Sequence, residues 1–308
     1  MSAAAEEDEV MMFCASCGIA GGDDIKLKDC SACHLVQYCS VECQDDHRPQ
    51  HEEECKKRAA ELKDESLFKQ PEGTCYGDCP ICYLPIPIDE LDSVLMACCG
   101  KRICEGCNLA KKMREIEGRL QQKCPFCRTA VPSSDEEINE QLMKRIEVND
   151  PVAMCLMGVK RHCQGDFEAT YEYFTKAASL GDVEAHYQSS VMYQYGQGVE
   201  KDEKMELYHL EQAAIGGHPE ARHNLGCVEW EDGQYDRAAK HFIIAAKLGC
   251  NNSLKHAERL YIAGHVSEED FSAALHGYHA AIDATKSPQR EEAAEFMRQV
   301  VECEKRGV

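Results

Sequence analysis

The stretch TKAASLGD, residues 175–182, returns as EQAAIGGH at 211–218 and again as IIAAKLGC at 243–250. The Ala-Ala pairs begin at Ala177, Ala213 and Ala245, spaced 36 and 32 residues apart. Upstream of each pair, Ala153, Ala185 and Ala221 keep the same phase, at intervals of 32 and 36. Gly158 and Gly226 each follow five residues after one of these alanines. A period in the thirties, with small residues at fixed positions, predicts stacked helix pairs. Alanine and glycine let neighbouring helices approach closely, and Gly181, Gly217 and Gly249 suit helix stops. A fourth, looser unit begins near Ser253 and includes Tyr261, Gly264 and the Ala280-Ala281 pair.

Both flanks of this array read as helix. Downstream, from Ser287-Pro288 to Val308, a mixed acidic and basic stretch predicts a capping helix of the kind a solenoid needs at its end. Upstream, Ser134 and Glu137 form a capping-box pattern ahead of Ile138, Leu142, Met143 and Ile146. That predicts a connecting helix, with Pro151 marking its end.

The N-terminal third differs in kind. The chain has 308 residues and 21 cysteines, of which 16 fall between Cys14 and Cys127. The other five, Cys155, Cys163, Cys227, Cys250 and Cys303, have no paired spacing. The N-terminus carries Glu6, Glu7, Asp8 and Glu9 without a basic leader, and no apolar run approaches the roughly 18 residues that read as a membrane span. The expectation is therefore a cytoplasmic or nuclear protein in a reducing compartment, where disulfides are rare and metal is the leading use for paired cysteines. Lys plus Arg is 34 against 55 Asp plus Glu, a formal charge of −21. That balance opposes binding to a nucleic-acid backbone, which needs basic surface. Partners are expected to be proteins, with neither nucleic acid nor membrane among them.

The first cluster runs Cys14 and Cys17, Cys30 and Cys33, Cys39 and Cys43, then His51 and Cys55. A tetrahedral zinc takes two such pairs, so eight ligands imply two ions. The helical spacings from Cys39 to Cys55 predict short helices presenting those ligands. The second cluster runs Cys79 and Cys82, Cys98 and Cys99, Cys104 and Cys107, then Cys124 and Cys127, again eight. Four protein ligands per ion leave no open position, so the metal is read as structural rather than hydrolytic. Cys75 is a spare thiol. Between Cys107 and Cys124, Leu109, Met113, Ile116 and Leu120 recur at helical spacing, which predicts an amphipathic helix packed on the metal core.

Three resemblances attach to these residues. CASCG…CSACHLVQYCSVECQDDHRPQHEEEC, from Cys14 to Cys55, resembles a MYND-type zinc finger. That family interleaves its pairs, which implies one zinc on Cys14, Cys17, Cys39 and Cys43 and another on Cys30, Cys33, His51 and Cys55. The family often has a tryptophan three residues before the ligand histidine, where this chain has Arg48, which puts a peptide groove built on it in doubt. CPIC…CCGKRICEGC…CPFCR, residues 79–128, resembles a RING finger in its all-cysteine variant. A register with Cys99 as third ligand would place Lys101 at the usual histidine. The all-cysteine register implies zinc on Cys79, Cys82, Cys104 and Cys107 and a second on Cys98, Cys99, Cys124 and Cys127. If neighbours Cys98 and Cys99 cannot both bind, that second site is defective. AHYQSSVMYQYGQGVEKDEKMELYHLEQAAIGG resembles a Sel-1-like repeat, a relative of the tetratricopeptide repeat, which implies an α-solenoid that binds proteins on its concave face.

The expected architecture is mainly α, with two small cross-braced zinc-binding fingers followed by an α-solenoid of helix-pair repeats. Its parts are a disordered acidic tail (1–12), a MYND-type finger (13–56), a linker (57–74), a RING-like finger (75–131), a connecting helix (132–150), Sel-1-like repeats (151–286) and a capping helix (287–308). No phosphate loop, nucleophile elbow or HExxH motif occurs, and the histidines of the repeats lack metal spacing. Two functions stay open. One is a RING-type ubiquitin ligase, with repeats recruiting the substrate. The resemblance then implies that Ile81 and Pro125 line the groove for a ubiquitin-conjugating enzyme and that Arg128 bridges that enzyme and ubiquitin. The other is a non-catalytic adaptor in which fingers and repeats only bind partner proteins. Four structural Zn2+ ions are expected in either case.

Overall fold

The computed structural model describes residues 12–89 and 92–306, with side chains as far as Glu302. The tail expected over 1–12 thus lies, Met12 apart, outside the described residues, as do the side chain of Cys303 and the last two residues of the expected capping helix. The chain forms two compact units, Met1–Lys69 and Gln70–Val308.

In the first unit, β1 (Lys28–Asp29) and β2 (Gln37–Tyr38) pair antiparallel, with Lys28 opposite Tyr38. The short helices expected after Cys39 are instead one helix, α1 (Val41–Leu67). Ser40 caps it by accepting the Cys43 amide. Pro49 lies inside it without ending it. The segment read as a linker, 57–74, is helical through Leu67. Pairs such as Arg58 with Glu61 and Lys56 with Glu52 lie along the exposed face at helical spacing. The core of this unit is Cys14, Cys30, Cys33 and Tyr38, with Leu27 and Val36 packed against them. That is too little apolar mass to hold a fold on its own.

The second unit opens with a finger. In it, β3 (Ser93–Leu95) and β4 (Arg102–Cys104) pair antiparallel with Val94 opposite Ile103, and α2 (Glu105–Glu117) follows directly. The helix expected here is present, but its stripe does not face a core. Met113, Ile116 and Leu120 are 43%, 62% and 61% exposed. The helix buries its first turn, Gly106, Cys107 and Asn108, because that turn carries ligands, and the rest extends beyond the small finger. Next comes α3 (Asp135–Ile146), capped by Ser134 accepting the Glu137 amide. Glu137 reaches back to the amide of Ser133, one residue earlier than a capping box predicts. Pro151 does not end this helix. It is the first residue of α4 (Pro151–Cys163), with Asp150 as its cap.

The helix pairs then stack. They are α4 with α5 (Phe167–Ser179), α6 (Val183–Tyr195) with α7 (Glu203–Ile215), α8 (Pro219–Glu231) with α9 (Tyr235–Lys247), and α10 (Asn251–Ile262) with α11 (Glu268–Thr285). The alternation of 32 and 36 residues has a local cause: the turn inside the second pair spans 196–202, whereas those of its neighbours span 164–166 and 232–234. The pairs also show why glycine recurs. A Cβ on Gly158 would sit 2.5 Å from the Phe174 ring, and one on Gly226 would sit 2.6 Å from Phe242. At the equivalent positions the second pair has Ser190 and Leu210, a larger residue facing a smaller one.

The finger lies along the inter-repeat turns. The Cys75 amide donates to the Gly217 carbonyl at 3.1 Å, and the Tyr76 ring meets His218 edge-on. The reading of 287–308 as a cap on the solenoid needs correcting. The helix is present, α12 (Pro288–Arg306), but it packs on α2 of the finger. Among the described residues, no helix is long and apolar enough to cross a membrane.

The solenoid interior takes in histidines. His209 is 9% exposed and His241 fully buried. Burial, joined by the neighbouring His186, lowers His209 to about 4. Burial, joined by Arg222, Arg237 and Lys240, lowers His241 to about 3. An unfolded imidazole titrates near 6.5. Between those values the unfolded chain binds protons that the folded chain refuses. Stability present above pH 6.5 is therefore lost as pH falls, by up to about 1.4 kcal/mol per pH unit for each group. Thermal unfolding followed by the fluorescence of Trp230, the single tryptophan, should show a lower midpoint at pH 5.5 than at 7.5. Equal midpoints would show that these imidazoles do not titrate on unfolding.

Candidate metal centres

The same backbone device occurs four times. In Cys14–Cys17, Cys30–Cys33, Cys79–Cys82 and Cys124–Cys127, the residue after the second cysteine is left-handed: Gly18 (φ 74°), His34 (56°), Tyr83 (58°) and Arg128 (61°). The amide of that residue donates to the carbonyl of the first cysteine, at 2.9, 3.0, 2.8 and 3.1 Å respectively. The first cysteine's own amide donates to a carbonyl further along, from Ile19, Val36, Leu84 and Thr129. Each turn thus folds its two sulfurs toward one point. For three of the four the left-handed residue is not glycine, at a cost of about 1–2 kcal/mol each. Such strain persists where the surroundings over-determine it, as a bound cation does.

Four clusters result. They are Cys14, Cys17, Cys39 and Cys43; Cys30, Cys33, His51 and Cys55; Cys79, Cys82, Cys104 and Cys107; and Cys98, Cys99, Cys124 and Cys127. Within each, all ligand atoms lie within 4.8 Å of one another. Sulfurs on a tetrahedral zinc, each about 2.3 Å from the metal, stand about 3.8 Å apart. The separations here include 3.6 Å for Cys17–Cys39, 3.7 Å for Cys30–Cys55, 3.7 Å for Cys82–Cys104 and 3.7 Å for Cys99–Cys124. His51 offers Nε2 at 3.1 Å from the Cys33 sulfur. The donor sets therefore fit zinc in chemistry and spacing. Cys98 and Cys99 both reach their cluster, because the sharp turn at Gly100 (φ 71°) follows them and Cys98 sits 3.3 Å from Cys127.

The electrostatics fit as well. At Cys14, burial acts to raise the thiol, but the amides of Cys17, Cys39 and Ser16 outweigh it and leave it at about 6. Its cluster mate Cys39 is pushed up to about 12 by hydrogen bonds with Cys17 and Cys43. Cys30, at about 6, and Cys55, at about 12, repeat the pattern; burial leads the causes for both, with amides lowering the first and neighbouring thiols raising the second. Within each cluster the sulfurs resist sharing negative charge until a cation arrives, and metal uptake releases the protons.

One helix serves both sites of the first finger. α1 contributes Cys43 to the first cluster and His51 and Cys55 to the second. Arg48 is exposed there and pairs with Asp45. Cys75 joins no cluster, and burial pushes its thiol up to about 12. Of the docking residues implied by the RING resemblance, Ile81 is 41% exposed, and Pro125 and Arg128 are exposed. The left-handed turn fixes the backbone of Arg128, while its side chain makes no hydrogen bond or ion pair among the described residues. Sequence reasoning missed Arg290 of α12, which hydrogen-bonds the Cys82 sulfur. No spacing could have signalled it, since it lies 208 residues from that cysteine.

With this geometry in hand, the comparisons give the class. Residues 14–55 match the MYND finger family, and residues 151–182, 183–218 and 219–250 match the Sel1 repeat. The protein is mainly helical, carrying a MYND zinc finger and three Sel1 repeats, both of them modules that mediate protein–protein interaction. The fourth helix pair, α10 with α11, follows the matched repeats. Solved structures similar to this chain include a Sel1 repeat protein from Oxalobacter formigenes, 22% identical, covering 57% of this chain and 52% of that one, with a TM-score of 0.44. Another is a protective antigen of uropathogenic Escherichia coli displaying an SLR fold, 27% identical, covering 48% and 33%, with a TM-score of 0.40. The chain thus spans about half of the first and a third of the second. A search of curated proteins gives no match.

Proposed function

We propose that this chain is a ubiquitin ligase of the RING type, with four structural zinc ions and with repeats that recruit the protein to be modified. The observation that carries this reading is the exposure of Ile81, Pro125 and Arg128 around a cysteine cross-brace. Core packing would have buried Ile81, and a surface ion pair would have occupied Arg128. The exposed stripe of Met113, Ile116 and Leu120 on and just beyond α2 adds apolar surface to the same finger.

Such a ligase has no nucleophile. It works by holding a charged conjugating enzyme so that the thioester adopts a reactive pose, which is catalysis by orientation. Zinc, when bound, supplies only the rigidity of the loops, since each cluster fills all four positions from the protein. Ile81 and Pro125 would pack against the enzyme, and the Arg128 guanidinium would hold ubiquitin against it. A cytoplasmic or nuclear location belongs to this reading, since paired cysteines held as thiols suit a reducing compartment.

Autoubiquitination with a panel of purified conjugating enzymes tests this. Ile81→Ala and Arg128→Ala are expected to lower the rate at least tenfold without changing zinc content. Inactivity of the wild type across the panel would favour the second reading, an adaptor that only binds partner proteins. An undiminished rate in both variants would reject the assigned residues.

A further inference from the structure

We infer that Arg290, on α12, is the counter-charge of the Cys79, Cys82, Cys104 and Cys107 centre, so that the C-terminal helix completes a metal site begun some 200 residues earlier. This rests on the reading of that cluster as a zinc site.

Arg290 is 9% exposed. Its guanidinium donates to the carbonyls of Pro85 at 2.7 Å, Thr285 at 2.8 Å and Leu84 at 3.1 Å, and to the Cys82 sulfur at 3.4 Å. Among the described residues it has no carboxylate at ion-pair distance. A buried cation without an anion is costly, and carbonyls cannot neutralise it. Asp92 lies near enough to feel this charge without bonding to it, and the anionic partners that the guanidinium bonds are sulfurs: Cys82 itself and Cys104, 3.7 Å from Cys82 in the same cluster. Four thiolates around one divalent ion carry two net negative charges, so the guanidinium and the loaded cluster each supply what the other lacks.

The approach is built into the packing. A Cβ at Gly106, between the ligands Cys104 and Cys107, would come within 3.0 Å of Arg290 backbone and side-chain atoms. The Gln289 side-chain Nε2 donates to the Gly106 carbonyl at 3.1 Å, and Ala293 is buried one turn further on. Ser287 accepts the Arg290 amide at 3.3 Å, fixing the start of the helix. The neighbouring centre is arranged differently. Arg145 there is already paired with Asp150 at 2.8 Å and donates to the Ala97 carbonyl rather than to a sulfur. Outer-shell partners of this kind typically change metal affinity 10- to 100-fold.

The experiment uses the full zinc-loaded chain and follows zinc release to an excess of a chromophoric chelator. In Arg290→Gln, one zinc of the expected four should leave about 10- to 100-fold faster than in the wild type, with the other three unchanged. Arg290→Lys, which keeps the charge, should restore most of the retention. A second readout is Co2+ in place of zinc. Loss of the N–H···S bond should shift the sulfur-to-cobalt charge-transfer band in Arg290→Gln to lower energy, which loosened packing alone would not do. If the wild type holds four zinc ions and Arg290→Gln changes neither release nor the band, the inference is overturned and the zinc reading stands. If the wild type holds no metal at the Cys79 cluster, the zinc reading fails first and the inference with it.

Discussion

Stripped of metal by a strong chelator, residues 12–69 are expected to lose α1 and the β1–β2 pairing, while the fluorescence of Trp230 should be unchanged. The contrast follows from what fills each interior. The first unit is built round Cys14, Cys30, Cys33 and Tyr38, so its buried centre is largely its ligand set. Structural zinc contributes about 10–16 kcal/mol to comparable small fingers, more than such a unit can replace from apolar burial. Without the cation the thiols crowd, the left-handed turn at His34 has nothing to hold it, and α1 loses His51 as an anchor. Trp230 instead packs with Phe242 and Tyr235 in a core of alanine, leucine and phenylalanine, and no ligand cysteine belongs to that cluster. Circular dichroism, limited proteolysis and Trp230 emission, recorded on one chelated sample, check all of this. A first unit that stays protease-resistant and helical with no bound metal would refute it.

The second large effect lies in the solenoid. Phe242→Ala is expected to destabilise the repeats by about 3–5 kcal/mol, since the ring is fully buried against Gly226 and Trp230. Gly226→Ser should cost about 1–3 kcal/mol by forcing atoms into that ring. The informative variant is the pair. Gly226→Ser with Phe242→Leu reproduces the Ser190 and Leu210 combination that the second helix pair already carries at these positions. The double variant should be more stable than the sum of its single changes by about 0.5–3 kcal/mol, the range of coupling for residues in contact. Urea unfolding followed at 222 nm measures the wild type, Phe242→Ala, Gly226→Ser, Phe242→Leu and the double variant. Simple additivity would mean that the two positions are not matched by volume.

Local periodicity made the solenoid and the cysteine pairs legible in the sequence, because both repeat short, self-contained geometry, whereas the grouping of pairs into four ligand sets followed only from the family resemblances. Ala177, Ala213 and Ala245 mark one helix position each time, and a CxxC pair is a turn whose partners lie within four residues. The features that escaped depend on surroundings. The stripe of Met113, Ile116 and Leu120 has the spacing of a core helix, and only the small size of the finger leaves it exposed. The segment after Cys55 is polar all round, so no apolar face announced that α1 runs on to Leu67. The tail helix carries Ala293 and Arg290 with nothing nearby in sequence to say that a distant finger, rather than the last repeat, receives them.

The docking of α12 on the finger also imposes an order of assembly during translation. Gly106 leaves the ribosome 183 residues before Gln289, the residue that bonds to it. At about 5–20 residues per second that is a wait on the order of ten to forty seconds. A nascent chain therefore makes the whole helical array before its second finger can close, and a message cut short before the last helix yields a protein with every ligand cysteine in place and one centre left ajar.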